Sequence, residues 1–242
     1  MKIKYVLLLV LSVQILAIHS QDNSVGKIEY NMSFLLKNYK TKLTFNNSKS
    51  IFTYENMNRE FSETTDDDGN INIISVDTTT FVVYNDLKKR KLYHYLSLFS
   101  SKKHDWVEES TPVFLWKLLE ETKKIGNITC YKASSSFRGR NYTAWYTPTI
   151  KSSFGPWKFQ GLPGLILEIY DEDKEVNITT KKITIPFVEE MDVKPTEIIL
   201  FEDVKKTRQK KIDDFIQKLE SKQERGVTIK VKVHTSEGIE RE

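Results

Sequence analysis

The sequence predicts an α+β fold that is mainly β: a strongly curved antiparallel sheet, a bowl or half-barrel of about ten strands, with one C-terminal amphipathic helix and a final strand. Three observations predict it. Apolar and polar residues alternate with period two from residue 27 to about 185, as in strands that bury one face. Turn sequences divide this region at the spacing typical of barrels and sandwiches. Beyond Pro195 the apolar residues take up helical spacing.

The first twenty residues have the features of a secretory signal peptide. Lys2 and Lys4 form a positive segment, residues 5–18 are almost all apolar, and Ser20 is a small residue before a cut at Gln21. The apolar run of about 14 residues is shorter than an ordinary transmembrane helix; an uncleaved anchor is the alternative. We therefore expect a signal peptide at 1–20, one domain at 21–242 and a periplasmic or secreted protein with no transmembrane span after cleavage.

The predicted strands of the first half follow the alternation in chain order. Residues 27–34 form the first strand, and 43–54 form a hairpin around the Asn46-Asn47-Ser48 turn. The acidic run at 66–70 resembles a calcium loop, but its glycine stands fourth rather than sixth, so a solvated turn is favoured. Strands are then expected near 71–76, 81–84 and 92–98.

The second half continues the pattern and ends in a helix. Alternation predicts strands near 114–118, 128–133, 142–147 and 165–170, and a last hairpin that includes Ile178, Ile183 and Ile185. A helical stripe follows: Phe201, Val204, Ile212, Phe215, Ile216 and Leu219. Gly226 stands where a helix would end, and residues 227–233 alternate as a terminal strand.

Composition excludes several classes of protein. One cysteine in 242 residues excludes a disulfide framework and a multi-cysteine zinc site, and Cys130 is expected to be a buried strand residue. Without Lys2 and Lys4 the mature chain carries 35 basic and 33 acidic residues, a net charge of +2, which gives no support to nucleic-acid binding. No histidine pair has metal-ligand spacing and no serine lies in a nucleophile elbow, so neither a cofactor nor a metal is expected.

The densest cluster of unusual residues lies at 137–166. It contains four of the nine glycines and three of the six prolines, together with five cationic or aromatic candidates for ligand binding: Arg138, Arg140, Trp145, Trp157 and Lys158. Two interpretations are open. Tight turns could anchor aromatic side chains in the core, or an exposed loop could present aromatics and cations to a carbohydrate or carboxylate ligand.

The same region carries a family resemblance. Gly161-Leu162-Pro163-Gly164-Leu165-Ile166 is the motif that names the GLPGLI family of exported Bacteroidota proteins, and residues 130–133, 137–140, 144–147 and 155–159 resemble its flanking motifs. The family is uncharacterised, so the resemblance implies no catalytic residues. It also looks similar to the N-terminal bowl-like domain of type II peptide-N-glycosidase F enzymes, which implies an accessory β domain.

Two functions are therefore expected from the sequence. The first is an exported, non-enzymatic β-rich module that binds a small-molecule, glycan or envelope-protein partner. The alternative is an exported hydrolase with a site assembled from separated strands, which would require His94 or His104 within hydrogen-bond reach of a carboxylate or Cys130. A eukaryotic secreted glycoprotein is a third possibility, because five N-x-Ser/Thr sequons begin at Asn31, Asn46, Asn127, Asn141 and Asn177.

Overall fold

The computed structural model describes residues 24–57, 61–65, 71–75, 80–96 and 105–221. The predicted signal peptide, the acidic run at 66–70, His104, Gly226 and the predicted strand at 227–233 lie outside these ranges. Within them the chain is mainly β, as predicted. Its strands are β1 (Gly26–Phe34), β2 (Lys37–Phe45), β3 (Lys49–Asn56), β4 (Phe61–Thr65), β5 (Ile71–Ser75), β6 (Phe81–Asp86), β7 (Lys91–Leu96), β8 (Asp105–Ser110), β9 (Lys117–Ile125), β10 (Ile128–Phe137), β11 (Arg140–Thr147), β12 (Leu165–Asp171), β13 (Val176–Thr184) and β14 (Ile198–Leu200).

Twelve of these strands form one sheet. Its order is β14-β8-β7-β6-β3-β2-β1-β13-β12-β11-β10-β9, and every neighbouring pair is antiparallel except β14 with β8. Strands β4 and β5 form a separate two-stranded hairpin. A 3-10 turn at Phe201–Asp203 follows β14 and leads into helix α1 (Val204–Glu220). The predicted helix is confirmed, whereas β4, β8 and β14 are strands that the alternation did not predict.

The large core lies on the inner face of the curved sheet. Strand β1 is central to it, since Ile28, Tyr30, Met32 and Phe34 are buried at alternate positions. The Tyr30 hydroxyl donates a hydrogen bond of 2.8 Å to the carbonyl of Ile166, which ties β1 to β12 inside the bowl. A smaller cluster of Tyr84, Tyr93 and Trp106, with Val193 against it, covers part of the opposite face.

The curvature brings the two ends of the sheet together. Strand β8 is second in the order and β10 is eleventh, yet Glu109 of β8 contacts Arg138, which follows β10. The connection at 111–116 crosses between these ends, from β8 to β9. We call this gap, bridged by side chains and by the connection at 111–116, the seam. Three of the five sequence-predicted candidates, Arg138, Trp157 and Lys158, lie here.

Helix α1 lies beside the β8 end of the sheet. Lys211 forms an ion pair with Asp105, the first residue of β8, and Val204 and Ile212 are half-buried. In the described residues, no helix combines the length and the apolar character needed to cross a bilayer.

Candidate functional site

A buried carboxylate lies at the centre of the candidate site. Glu109 is almost fully buried; its Oε2 accepts a hydrogen bond of 2.6 Å from Arg138 Nη2, and its Oε1 is paired with Lys158 Nζ. Lys158 is also buried, whereas about a quarter of the Arg138 side chain is exposed. A carboxylate held by two cations at low solvent exposure is a strong local constraint, because each charge depends on the others for compensation.

Three separate parts of the chain position this cluster. Glu109 comes from β8 near one end of the sheet, and Arg138 comes from the tight turn between β10 and β11 near the other. That turn has positive φ at Arg138 (43°) and at Gly139 (74°), which is the left-handed conformation a two-residue hairpin turn requires. Lys158 comes from the glycine- and proline-rich loop at 148–164.

Aromatic rings enclose the two cations. Trp157 is buried, and its ring lies 5.3 Å from Lys158 Nζ. The Arg138 guanidinium lies 4.5 Å from the ring centre of Phe201 and 4.9 Å from that of Phe137. Phe201 itself is 39% exposed, so one face of this cation–aromatic stack meets solvent.

A cleft of about 530 Å³ opens beside the cluster along the seam. We call it the seam cleft. It is lined by Lys89, Arg90, Lys91, Glu108, Glu109, Ser110, Arg138, Leu200, Phe201 and Glu202. The Lys91 ammonium lies 2.5 Å from Glu108 and lowers the pKa of that carboxyl. The cleft therefore combines four cations with two exposed apolar side chains, and two of its three carboxylates are already paired.

The sequence-predicted candidates divide into three places. The structure brings Arg138, Trp157 and Lys158 together around Glu109. Arg140 lies elsewhere: it is buried and paired with Asp171, and its Nη1 donates a hydrogen bond of 2.6 Å to Glu175. Burial alone would lower the pKa of Arg140, but the hydrogen bonds that it donates to Glu175 and Asp171 raise this pKa above its usual value.

Trp145 lies in a third location, on β11, away from both the seam cleft and Arg140. Its ring is mostly buried beneath Lys123 Nζ at 4.5 Å and Lys132 Nζ at 5.9 Å. Those lysines pair with Glu168 and Glu121 respectively. Sequence proximity to Arg138 therefore does not place Trp145 in the seam cleft.

The hydrolase alternative requires a histidine within hydrogen-bond reach of a carboxylate or of Cys130. His94 Nε2 lies 3.8 Å from Glu109 Oε1, which is longer than a hydrogen bond. Cys130 is fully buried, and burial raises the pKa of its thiol to about 11. A thiol with that pKa is a poor source of thiolate near neutral pH. Among the described residues, no group of three or more His, Cys, Asp or Glu side chains is placed to hold a metal ion.

Sequence reasoning missed Glu109, Phe201 as a cleft residue, and the basic turn at 88–91. Glu109 follows another glutamate in a strand that the alternation did not reveal. In the sequence, Phe201 belongs to the apolar stripe of the predicted helix. The basic turn gives no signal, because basic turns are common on protein surfaces. Only the curvature of the sheet, which no local pattern reports, places these residues beside Arg138.

The comparisons with known proteins concern the fold and the 137–166 region. A family model described as "Protein of unknown function (Porph_ging)" matches residues 136–168. This stretch contains all five predicted candidates and the motif at 161–166, and a Bacteroidota-associated family of unknown function is consistent with the GLPGLI resemblance. No curated protein matches the chain.

Solved structures of PNGF-II share the fold. The structure in space group P21 has a TM-score of 0.54 at 16% identity, and the structure in space group C2 has a TM-score of 0.53 at 15% identity. Each match covers 77% of this chain and 33% of the other. The chain thus spans about a third of the length of the PNGF-II chains that it resembles, and at these identities the likeness is one of fold alone.

Proposed function

We propose that this chain is an exported, non-enzymatic β-rich module that binds a ligand or a partner protein of the cell envelope in the seam cleft. The observation that carries the proposal is the seam cleft itself, where Arg138 reaches across the gap in the sheet and stacks on the partly exposed ring of Phe201. Export rests on the features of residues 1–20.

The chemistry of the cleft suits ligands that carry carboxylates. Arg90 can donate paired hydrogen bonds to a carboxylate, Arg138 adds positive charge, and Phe201 offers an apolar face beside them. Lys158 pairs with the Glu109 carboxylate that accepts the hydrogen bond from Arg138, and the Trp157 ring lies beside Lys158. Arg140 and Trp145 lie outside this cleft, so the proposal assigns binding to Arg138, with Trp157 and Lys158 as its support.

The hydrolase alternative has weaker geometric support. His94 is the nearest candidate base, but it stands 3.8 Å from Glu109, and that carboxylate is already paired with Arg138 and Lys158. A carboxylate that orients a histidine base has to be available to it at hydrogen-bond distance. The arrangement around Glu109 is better suited to holding the seam together.

Titration of the mature protein with trigalacturonate and with glutarate, followed by 1H–15N NMR, tests the proposal. We expect shift changes that concentrate at Arg138, Phe201 and residues 89–91. A Lys89→Gln/Arg90→Gln variant should bind about tenfold more weakly, while a control Lys181→Gln/Lys182→Gln variant, altered at two exposed lysines of β13, should bind normally. Shift changes scattered over the surface, or equal losses in both variants, would contradict the proposal.

A further inference from the structure

Exposed apolar residues alternate with buried ones along the connection at 111–116. Pro112 and Phe114 are buried, whereas Val113 is 80% exposed and Leu115 is 85% exposed. This segment lies outside the named strands, although its side chains alternate as in a strand. A water-facing row on such backbone is normally polar. Two large apolar side chains in a water-facing row are typical of a surface that contacts a partner.

Exposed apolar residues also lie on the other side of the seam, at the β8 end of the sheet. Strand β14 pairs with β8 on one side, and its residues Ile198 and Leu200 are 47% and 46% exposed. Phe201 follows them at 39%. Most of the large apolar side chains exposed on the described surface therefore lie on the two borders of the seam or directly beside it: Val113, Leu115, Leu118, Ile198, Leu200 and Phe201.

The two borders meet at the Glu109 cluster. The Thr111 amide donates a hydrogen bond of 3.1 Å to the carbonyl of Arg90, so the 111–116 segment begins at the basic turn. Phe114 packs on Phe137 with 4.3 Å between ring centres, and the neighbouring Arg138 stacks on Phe201. The 111–116 segment is thus joined to the basic turn through Thr111 and to the turn of Arg138 through Phe114, while Leu200 and Phe201 of the other apolar row line the seam cleft itself.

The charged side chains of this surface indicate which kind of partner it can bind. Residues 88–91 are four consecutive basic residues, and Arg138 adds a fifth cation. Glu108 pairs with Lys91, Glu109 pairs with Arg138, and Asp86 lies 4.0 Å from Lys89; Lys88 and Arg90 take part in none of these pairs, and Glu202 is the remaining carboxylate on the rim. An apolar segment that carries acidic side chains complements this surface. The alternating segment at 227–233 of this chain carries Lys230 and Lys232, so its charge does not.

We propose that the seam is the docking surface for an extended polypeptide segment of another protein, in which apolar side chains alternate with acidic ones. The apolar side chains lie against Val113, Leu115, Leu200 and Phe201, and the acidic ones meet the basic turn and Arg138. Extended peptides bind in this way when alternate side chains face a complementary surface. This inference rests on the proposed function, since it names the class of partner for the same cleft.

Fluorescence anisotropy with a fluorescein-labelled (Val-Glu)4 octapeptide tests the inference on the mature chain. We expect (Val-Glu)4 to bind at least tenfold more tightly than (Val-Lys)4 or (Ser-Glu)4, because only the first peptide offers both apolar and acidic side chains. A Val113→Ser/Leu115→Ser variant should lose at least tenfold in affinity. The matched control is Leu36→Ser/Val188→Ser, which removes two equally exposed apolar residues elsewhere and should change nothing.

Each other outcome overturns the inference. Equal binding of the three peptides, or equal losses in the two variants, would show that the apolar rows do not form the docking surface. Absent binding, together with hydrogen-exchange protection of residues 111–116 in the free chain, would show that the chain covers this face itself. Trigalacturonate binding without (Val-Glu)4 binding would leave the proposed function standing and overturn only the polypeptide partner.

Discussion

At the scale of single residues, Glu109 joins parts of the chain that are distant in both sequence and sheet order. Arg138 donates a hydrogen bond to one of its oxygens and Lys158 pairs with the other, and these cations offset the cost of burying the carboxylate charge. Arg138 also stacks its guanidinium on the Phe201 ring. A residue that holds the seam closed therefore also shapes the candidate binding surface.

Replacement of Glu109 by glutamine should destabilise the protein strongly. The Glu109→Gln variant keeps the shape of the side chain but removes the negative charge that pairs with Lys158 and Arg138, a loss of about 3–5 kcal/mol in the free energy of unfolding. Urea unfolding measures it. The matched control is Glu121→Gln, whose carboxylate is largely exposed beside Lys132 and should cost less than about 0.5 kcal/mol. Similar losses for the two variants would show that the Glu109 cluster does not hold the seam.

Part of this site could be predicted from residues alone. Arg138, Trp157 and Lys158 stand in a segment whose glycines, prolines and aromatics are conspicuous, and all three reach the seam. Arg140 and Trp145 belong to the same segment but lie on β11, where their positions in the sheet direct them to other partners. Glu109 has no local signature, because its role arises only when the sheet curves back on itself.

At the scale of elements, the predictable strands are those with one apolar face. Strand β1 alternates cleanly, and its predicted bounds agree with the structure. Strand β8 buries Glu109 and so loses that signature, and β14 is only three residues long. The apolar alternation at 114–118 predicted a strand, but residues 111–116 cross the seam and β9 begins at Lys117.

Strand β9 lies at the edge of the sheet and has features that limit further pairing. Its register with β10 shifts between Tyr131 and Ala133, so Leu119, Glu120 and Glu121 form a bulge opposite Lys132. Its exposed side chains include two glutamates and two lysines. Bulges and charges on an edge strand oppose pairing with another chain. The exposed apolar residues at the seam, such as Val113 and Leu200, have no such bulge among the described residues, and this favours contact with another chain.

The motif at 161–166 packs a loop against a strand end. Leu162, Leu165 and Ile166 are buried, and a Cβ at Gly164 would lie 2.2 Å from the carbonyl oxygen of Thr147, the last residue of β11. Gly164→Ala should therefore cost about 3 kcal/mol or more, because a backbone atom cannot move aside easily. Gly126→Ala is the control: its φ is also positive, but its Cβ would meet no atom within 4 Å, so we expect a loss of about 1–2 kcal/mol.

Thermal and urea unfolding of the two glycine variants give the comparison. A Gly164→Ala variant as stable as Gly126→Ala would show that the close approach to Thr147 is relaxed without cost. Loss of soluble protein for Gly164→Ala alone would agree with the expected clash. The motif is thus explained by packing, and its place beside β11 does not require a role in binding.

At the scale of the whole molecule, the sheet is closed by side chains where backbone pairing ends. Twelve strands curve around one core, and at the seam ion pairs and aromatic contacts replace the hydrogen bonds of a continuous barrel. Period-two alternation could predict a curved antiparallel sheet, because each strand has an apolar face to bury. It could not predict where the sheet stops, since that depends on the register and tilt of all the strands together.

Burial of tyrosines on the two faces of this sheet makes the free energy of unfolding depend on pH in the alkaline range. Burial raises the pKa of Tyr30 far above its usual value, and burial, followed by neighbouring carboxylates, raises the pKa of Tyr84 and Tyr93 to about 12. In the unfolded chain these hydroxyls ionise near pH 10. The stabilisation is therefore complete below pH 10 and is lost as the pH rises, because the unfolded state then binds fewer protons than the folded one.

We expect the free energy of unfolding to fall between pH 10 and 11 by about 1 kcal/mol for each tyrosine that stays protonated in the folded state. Urea unfolding at several pH values measures this slope, and absorbance at 295 nm shows whether ionisation accompanies unfolding. A Tyr30→Phe variant loses the hydrogen bond to Ile166 and about 1 kcal/mol of stability, but its alkaline slope should be smaller. An unchanged slope in this variant would show that Tyr30 ionises as readily in the folded core as in the unfolded chain.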